Sequence, residues 1–230
     1  MKLPLILVNF KVYRESIGKN AYNLARMIEH VAIERDSEIA IAPDFLDLVK
    51  IKDIVGIPVF AQHADAVELG GHTGHVTIEI LKEYGIDGLI INHSEKRLNL
   101  ADIEYLVTNS RNYGLISILC TNNIETTVAG AALNPDFLAI EPPELIGGDI
   151  SVSKAKPEII LNSVQLSKKV NSAVKILAGA GIKDKLDSKK ALELGSDGVL
   201  IASGIVKSKD PIKSLNDIID GFMEAKYGKR

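Results

Sequence analysis

The chain has 230 residues, of which 46% are hydrophobic and 25% charged, and its formal net charge at pH 7 is −3. This composition is that of a globular protein and excludes a disordered or fibrous chain. The basic residues form no dense block, so we expect no nucleic-acid partner and no binding to an anionic membrane. The lone Cys120 excludes an intramolecular disulfide framework. No stretch approaches the roughly 20 apolar residues of a membrane-spanning helix, so we expect a cytoplasmic protein.

Short apolar runs recur along the whole chain and predict eight strands. None of them alternates polar and apolar residues, which indicates burial on both faces, as in a parallel sheet. The runs are Leu5–Val8, Ile39–Ala42, Val59–Ala61, Gly88–Ile91, Ile116–Cys120, Phe137–Ile140, Lys175–Ala178 and Gly198–Ile201.

Amphipathic stretches between these runs predict helices. Apolar residues at i, i+3, i+4 and i+7 indicate one buried face per helix. The clearest sets are Ala21, Leu24, Ala25 and Ile28, and Leu215, Ile218, Ile219 and Phe222.

Capping residues mark several helix ends. Asp210-Pro211 predicts an N-cap followed by proline at the first helical position, and Asp187 is interpreted as a second N-cap. Gly85, Gly114 and Gly195 predict helix ends just before the next strand.

One sequence pattern at the end of a predicted helix occurs twice, and the spacing of the two copies gives the length of the repeating unit. Gly85-Ile86-Asp87-Gly88 and Gly195-Ser196-Asp197-Gly198 lie 110 residues apart, or four units of about 28 residues. Because eight such units account for the whole chain, the sequence predicts the α/β class and one closed (β/α)8 barrel domain over residues 1–230. A doubly wound open sheet is the alternative, but the first strand ends in Asn9-Phe10-Lys11 and carries no Gly-x-Gly-x-x-Gly motif.

Polar side chains follow three of the predicted strands. Asn9 and Lys11 follow the first, His93 the fourth and Glu141 the sixth. In a barrel the carboxyl ends of the strands meet on one face, where active sites form. Each residue alone has an ordinary structural explanation: a core histidine, a solvated lysine or a rim carboxylate. Their joint placement favours a site that moves a proton and polarises a carbonyl.

Two small-residue turns predict a phosphate site on the same face. Gly179-Ala180-Gly181 follows the seventh strand and Ala202-Ser203-Gly204 the eighth. Bare backbone N–H groups in such turns cradle phosphate, although glycine turns also occur for structural reasons alone. A long connection after Glu141 has a stiff Pro142-Pro143 entry and a permissive tip at Ile146-Gly147, which suits a lid.

Together these motifs resemble the triosephosphate isomerase family in its short archaeal form. The resemblance covers the whole chain. The residues that carry it are Asn9-Phe10-Lys11, His93-Ser94-Glu95-Lys96-Arg97, Ile140-Glu141-Pro142, Ile146-Gly147, Gly179-Ala180-Gly181 and Ala202-Ser203.

The resemblance implies a TIM barrel that interconverts dihydroxyacetone phosphate and glyceraldehyde 3-phosphate without a cofactor or a metal, as in glycolysis and gluconeogenesis. Glu141 would be the base, and His93 would polarise the carbonyl as neutral imidazole. Asn9 and Lys11 would bind the substrate and stabilise its developing charge. The phosphate would be held by backbone groups at Ile146, Gly147, Gly181, Ala202 and Ser203.

The sequence departs from many members of this family at three places, one of which is the absence of the aromatic residue often found near the start of the lid. Asn92 stands where glycine often precedes the histidine, and Gly148-Asp149 replaces a Thr-Gly pair in the lid tip. The stretch Gly70–Gly74 resembles the family's interface loop, whose Thr73 would reach Asn9 of a neighbouring subunit. The resemblance thus implies a homo-oligomer, either a dimer or a tetramer.

Two other functions remain open from the sequence. One is a different phosphate-binding barrel enzyme, such as an aldolase that forms a Schiff base at Lys11 or Lys175. The other is a non-catalytic barrel that binds a phosphorylated metabolite, although such a sensor has no need of Glu141.

Overall fold

Eight parallel strands form the centre of the molecule. The computed structural model describes residues 1–142, 153 and 156–227. The strands are β1 (Leu5–Asn9), β2 (Glu38–Ala42), β3 (Phe60–Ala61), β4 (Gly88–Ile91), β5 (Ile116–Thr121), β6 (Phe137–Ile140), β7 (Lys175–Ala178) and β8 (Gly198–Ile201). Their order is β2-β1-β8-β7-β6-β5-β4-β3, and a parallel bridge between Ile41 and Val59 joins the two ends. The (β/α)8 barrel is therefore confirmed, and the open-sheet alternative is wrong.

Helices alternate with the strands along the chain. In the part of the chain that the structure describes they are α1 (Lys19–Glu34), α2 (Phe45–Ile54), α3 (Ile78–Glu83), α4 (Leu100–Tyr113), α5 (Ile124–Ala132), α6 (Pro157–Val170), α7 (Lys185–Glu193), α8 (Ser203–Val206) and α9 (Pro211–Tyr227). The two apolar sets predicted from the sequence lie on α1 and α9, and all of their members are buried. None of the helices described is long and apolar enough to span a bilayer.

The predicted helix ends agree with the structure except at one N-cap. Gly85, Gly114 and Gly195 all adopt positive φ, as helix-ending glycines do. Asp187 is not an N-cap: α7 begins one turn earlier, and Asp184 is the capping residue, its Oδ1 accepting from the Asp187 N–H at 2.8 Å. Asp187 instead closes the reciprocal half of the capping box, because its Oδ2 accepts from the Asp184 N–H at 3.3 Å.

The repeated Gly-x-Asp-Gly exit has a structural role at the amino-terminal end of the barrel. Asp87 precedes β4, and its carboxylate accepts from the N–H of Val59 at 2.7 Å. Asp197 precedes β8 and accepts in the same way from Ile176 on β7 at 2.9 Å. Asp136, before β6, bonds the N–H of Ser117 on β5 at 2.9 Å. Each aspartate therefore ties the strand that follows it to the preceding strand.

The core has two layers, one inside the barrel and one between the barrel and its helices. Successive side chains of a strand point to opposite faces, so every strand contributes to both layers. The inner layer consists of Leu5, Leu7, Ala40, Ala42, Phe60, Ile90, Ile118, Cys120, Phe137, Ala139, Leu177 and Leu200. This packed interior confines the polar side chains to the carboxyl ends of the strands.

Candidate active site

The polar residues predicted from separate strands meet at one cleft. It lies at the carboxyl ends of the strands and has an empty volume of about 490 Å³, counted out into the solvent at its mouth. Lys11 reaches it from the loop after β1, His93 from the loop after β4 and Glu141 from the end of β6. The small residues after β7 and β8 form its other wall: Gly179, Gly181, Ala202, Ser203 and Gly204.

His93 and Glu141 lie at the centre of this cleft. His93 Nε2 lies 3.2 Å from Glu141 Oε1. Both residues are buried, with exposed fractions of 6% for His93 and 1% for Glu141. Glu141 Oε2 is also buried, and it has no hydrogen-bond partner among the described residues. A carboxylate with a free oxygen can accept a proton from a small molecule, and the neighbouring imidazole can donate a hydrogen bond to the same molecule.

The hydrogen bonds of His93 fix the position of its proton. Its Nδ1 accepts from the backbone N–H of Glu95 at 3.1 Å, inside a turn closed by the Lys96 N–H and the His93 carbonyl at 2.8 Å. A ring nitrogen that accepts carries no hydrogen, so the neutral ring bears its proton on Nε2. That proton is directed into the cleft. The amide that sets the tautomer, that of Glu95, belongs to this turn and not to helix α4, which begins at Leu100.

Lys11 is held in place by contacts at both ends of the residue. Its backbone has φ of +50°, and its N–H donates to Asn9 Oδ1 at 2.9 Å. Its carbonyl accepts from Gln62 Nε2 at 3.0 Å. Its ammonium nitrogen lies 2.8 Å from Glu95 Oε1, and the side chain is 11% exposed. This pairing keeps a nearly buried positive charge beside His93.

The floor beneath Glu141 is formed by a glycine and a thiol. A Cβ at Gly179 would lie 2.8 Å from Glu141 Cγ, so only glycine leaves space for this carboxylate. Burial raises the pKa of Cys120 well above its ordinary value, and the nearby negative charge of Glu141 adds to the effect. The thiol is therefore protonated and inert, as the sequence predicted.

The turns after β7 and β8 bring backbone close to the cleft. Gly181 has φ of +69°, and a Cβ at Gly204 would lie 3.0 Å from the Ile182 carbonyl oxygen. Ser203 and Gly204 open α8, and first-turn N–H groups have no acceptor within their helix. These donors can therefore bind an anion that enters the cleft.

The sequence matches the family model of triosephosphate isomerase over residues 4–221. It is 52% identical over 218 residues to the triosephosphate isomerase of Archaeoglobus fulgidus, which covers 95% of this chain and 98% of the relative. The triosephosphate isomerase of Methanothermus fervidus is 52% identical over 219 residues, with 95% of this chain and 99% of the relative covered. That of Methanothermobacter thermautotrophicus is 49% identical over 216 residues, 94% of either chain.

The chain belongs to the triosephosphate isomerase family. The resemblance predicted from the sequence motifs, including its archaeal character, is therefore confirmed.

Among the described residues, every predicted site residue except Asn9 lines the one cleft. Asn9 lines an adjoining cleft that shares Lys11 and His93 with the first. Ile146 and Gly147, predicted to bind phosphate from the lid, lie outside the described residues.

The sequence reasoning missed Tyr13, Ile182 and Lys183, which also line the cleft. Tyr13 stands two residues after Lys11, and the ammonium of Lys207 lies 4.1 Å from its ring centroid. Ile182 and Lys183 directly follow the Gly179–Gly181 turn. Proximity to a predicted site residue was the only signal in the sequence.

The two histidines of the loop after β3 are packed against each other. The ring centroids of His72 and His75 are 5.8 Å apart in an edge-to-face arrangement. No group of three or more potential metal ligands occurs among the residues that the structure describes.

Proposed function

We infer that the protein interconverts dihydroxyacetone phosphate and D-glyceraldehyde 3-phosphate, as an aldose–ketose isomerase. Membership of the triosephosphate isomerase family supports this reaction. The observation that carries the mechanism is the 3.2 Å approach of His93 Nε2 to Glu141 Oε1 in a buried cleft. Isomerisation needs a base that moves a proton between two adjacent carbons and a proton donor that serves the oxygens on those carbons. Glu141 and His93 can provide these two groups.

The first step transfers a proton from carbon to Glu141. The carboxylate takes a proton from C1 of dihydroxyacetone phosphate, and the electron pair of the broken C–H bond forms the C1=C2 double bond. Negative charge then develops on the C2 oxygen. The Nε2–H of His93 and the ammonium of Lys11 stabilise this charge, because both are positioned before the reaction begins.

The second step returns the proton to the neighbouring carbon. A proton moves from the C1 hydroxyl to the C2 oxygen through the neutral His93 ring, and Glu141 then delivers its proton to C2. The product is glyceraldehyde 3-phosphate, and both side chains regain their starting protonation. No electron leaves the substrate, so the mechanism needs no cofactor.

The phosphate contributes binding energy away from the reacting carbons. We propose that the backbone N–H groups of Gly181, Ala202 and Ser203 bind it, with Ile146 and Gly147 of the lid completing the contact. Asn9 hydrogen-bonds a substrate oxygen in this scheme. Such remote binding keeps the reacting atoms aligned and allows closure of the lid to exclude water.

The geometry disfavours a Schiff-base aldolase. Lys175 is the first residue of β7 and therefore lies at the amino-terminal end of the barrel, away from the cleft. The Lys11 side-chain nitrogen is held by Glu95 at 2.8 Å, so it is already engaged in an ion pair and is not free to attack a carbonyl as a Schiff base requires. A non-catalytic sensor would also have no use for a buried carboxylate such as Glu141, since burying its charge is costly.

A coupled assay of glyceraldehyde 3-phosphate turnover tests the reaction directly. We expect turnover by the purified protein, and tight binding of 2-phosphoglycolate, an enediolate mimic, by calorimetry. Absence of both would refute the proposal. Trapping of a substrate adduct by borohydride would establish the aldolase instead.

We propose further that the protein is a cytoplasmic, single-domain enzyme of glycolysis and gluconeogenesis, and a homodimer or homotetramer. The eight strands share one sheet, which supports the single domain. The loop after β3 supports assembly, because Glu68–His75 are all exposed.

A further inference from the structure

The residue before His93 has an unusual backbone conformation. Asn92 directly follows β4 and adopts φ of +60°. Residues with a Cβ rarely occupy this left-handed region, and asparagine is among the few that tolerate it. The chain turns sharply there, and this turn directs His93 into the cleft.

The side chain of Asn92 closes the loop that carries His93. Its Oδ1 accepts from the backbone N–H of Leu98 at 2.9 Å, which joins the two ends of the loop 92–98. Its Nδ2 donates to the carbonyl of Cys120 at 3.0 Å, which ties the loop to β5. Its own carbonyl accepts from Arg97 Nη1 at 3.0 Å. One residue therefore makes three contacts that hold the loop to itself and to the barrel.

Two groups of the proposed mechanism depend on this loop. The backbone N–H of Glu95 holds His93 Nδ1 at 3.1 Å and so fixes the tautomer. The carboxylate of Glu95 holds the Lys11 ammonium at 2.8 Å. If the bonds of Asn92 to Leu98 and Cys120 were lost, the loop could move and carry Glu95 with it. The contacts of Glu95 with His93 and with Lys11 would then weaken together.

We propose that Asn92 is a positioning residue for the isomerase reaction. It contacts neither substrate nor reacting atoms. It acts through the loop 92–98, which holds His93 with Nδ1 as acceptor and Nε2–H toward the substrate. The proposal rests on the proposed function, since it assumes that His93 is the proton donor of the reaction.

Asn92→Gly is the direct test, because glycine keeps the positive φ and removes only the side-chain bonds. We expect kcat to fall about tenfold while KM changes less, as for other groups that orient a catalytic side chain. If this variant does not fold, Asn92→Asp replaces it. Asn92→Asp retains an acceptor for Leu98 and should keep more of the activity than Asn92→Gly.

Asn134→Gly is the matched control. Asn134 also has φ of +60°, and its carbonyl accepts from Arg111 at 2.6 Å. Its Oδ1 accepts from Asn171 Nδ2 at 2.8 Å. It lies between α5 and β6, at the opposite end of the barrel. This variant should lose stability to a similar degree and keep the kcat of the unmodified protein.

The decisive measurement is ¹⁵N NMR of the His93 ring, assigned by comparison with His93→Gln. In the unmodified protein Nδ1 should be an unprotonated acceptor, and in Asn92→Gly the two tautomers should mix. If the ring nitrogens are unchanged in Asn92→Gly, the proposal is overturned, whatever happens to kcat. If they change and kcat does not, Asn92 positions His93 as proposed, and it is the catalytic role of His93 in the proposed function that fails.

Discussion

Glu141 is confined from several directions, and this confinement determines how it can react. Gly179 leaves space beside its side chain, His93 faces one carboxylate oxygen, and the protonated thiol of Cys120 lies below. A buried side chain with so little freedom stays where, in the proposed mechanism, the substrate carbon must arrive. The position of the carboxylate is therefore as important for the proposed chemistry as its charge.

Shortening this side chain should separate position from charge. Glu141→Asp keeps the carboxylate and withdraws it by one methylene, about 1 Å. We expect kcat to fall by about 100-fold or more, with a smaller change in KM, measured by steady-state kinetics. Glu125→Asp, at an exposed residue of α5, is the control and should behave like the unmodified protein. Equal turnover in a folded Glu141→Asp protein would show that Glu141 is not the base.

The sequence predicted which side chains meet at the site but not how they are held. The positions of Lys11, His93 and Glu141 follow from strand order alone, because parallel strands end on one face. The amide of Glu95 that fixes the tautomer of His93 depends on a turn of four residues. Such contacts arise from the exact path of a loop, which hydrophobic periodicity does not encode.

Helix α7 illustrates a limit of the same kind at its first turn. The sequence predicted the N-cap at Asp187, three residues after Asp184. The structure assigns the cap to Asp184 and the reciprocal contact to Asp187. The apolar pattern shows that a helix is present, but where it begins depends on backbone bonds that the pattern does not reveal.

The capping box should contribute measurably to stability. Asp184→Ala removes the acceptor for the Asp187 N–H, and loss of an N-cap costs about 1 kcal/mol. Urea denaturation should show a decrease of that size in the free energy of unfolding. Asp184→Asn retains the acceptor and should recover most of the loss. An unaltered midpoint in Asp184→Ala would argue against the assigned cap.

Strand β3 is shorter than predicted for a similar reason. The run Val59–Ala61 predicts three residues, and the structure has two, Phe60–Ala61. Val59 pairs with β2 only through the isolated bridge to Ile41, and its N–H donates to the Asp87 carboxylate. The pairing between β2 and β3 is therefore too short to extend the strand to Val59.

The loop between β3 and α3 is closed at its base by a pair formed by buried His63 and half-buried Asp65. His63 Nε2 lies 3.2 Å from Asp65 Oδ1, and Asp65 Oδ2 accepts from the Val76 N–H at 2.8 Å. Burial lowers the pKa of His63, and the positive charge of Lys96 acts in the same direction, while Asp65 opposes both. Lys11, His93 and Glu95 are the other titratable groups of the cleft that His63 lines. His63 is therefore neutral at pH 7.

This lowered pKa predicts a loss of stability in mild acid. The unfolded chain binds a proton at His63 near pH 6.5, and the folded chain binds it only at lower pH. The free energy of unfolding should therefore fall as the pH drops below about 6.5, until the folded pKa is passed. Urea titrations across this range should show a shallower pH dependence for His63→Gln. His30→Gln, at a largely exposed residue of α1, should retain the original slope; identical slopes in all three proteins would contradict the argument.

The complete barrel leaves one part of its catalytic face uncovered. The adjoining cleft shares Lys11 and His93 with the active site, and apolar side chains lie exposed around it. Val12 is 78% exposed and Phe45 is 39% exposed. Exposed apolar side chains grouped beside a cleft are typical of an interaction surface. The projecting loop Glu68–His75 of a second copy is the occupant that we propose for it.

Assembly should therefore be coupled to activity in this protein. Sedimentation velocity should give the mass of a dimer or a tetramer. Thr73→Arg puts a long cation at the tip of the loop, which we expect to shift the protein toward monomer. We also expect kcat to fall, because Asn9, Lys11 and His93 line the cleft that the loop would fill. Ser172→Arg, exposed at the opposite end of the barrel, should change neither property. A fully active monomer at assay concentration would show that each barrel completes its own site.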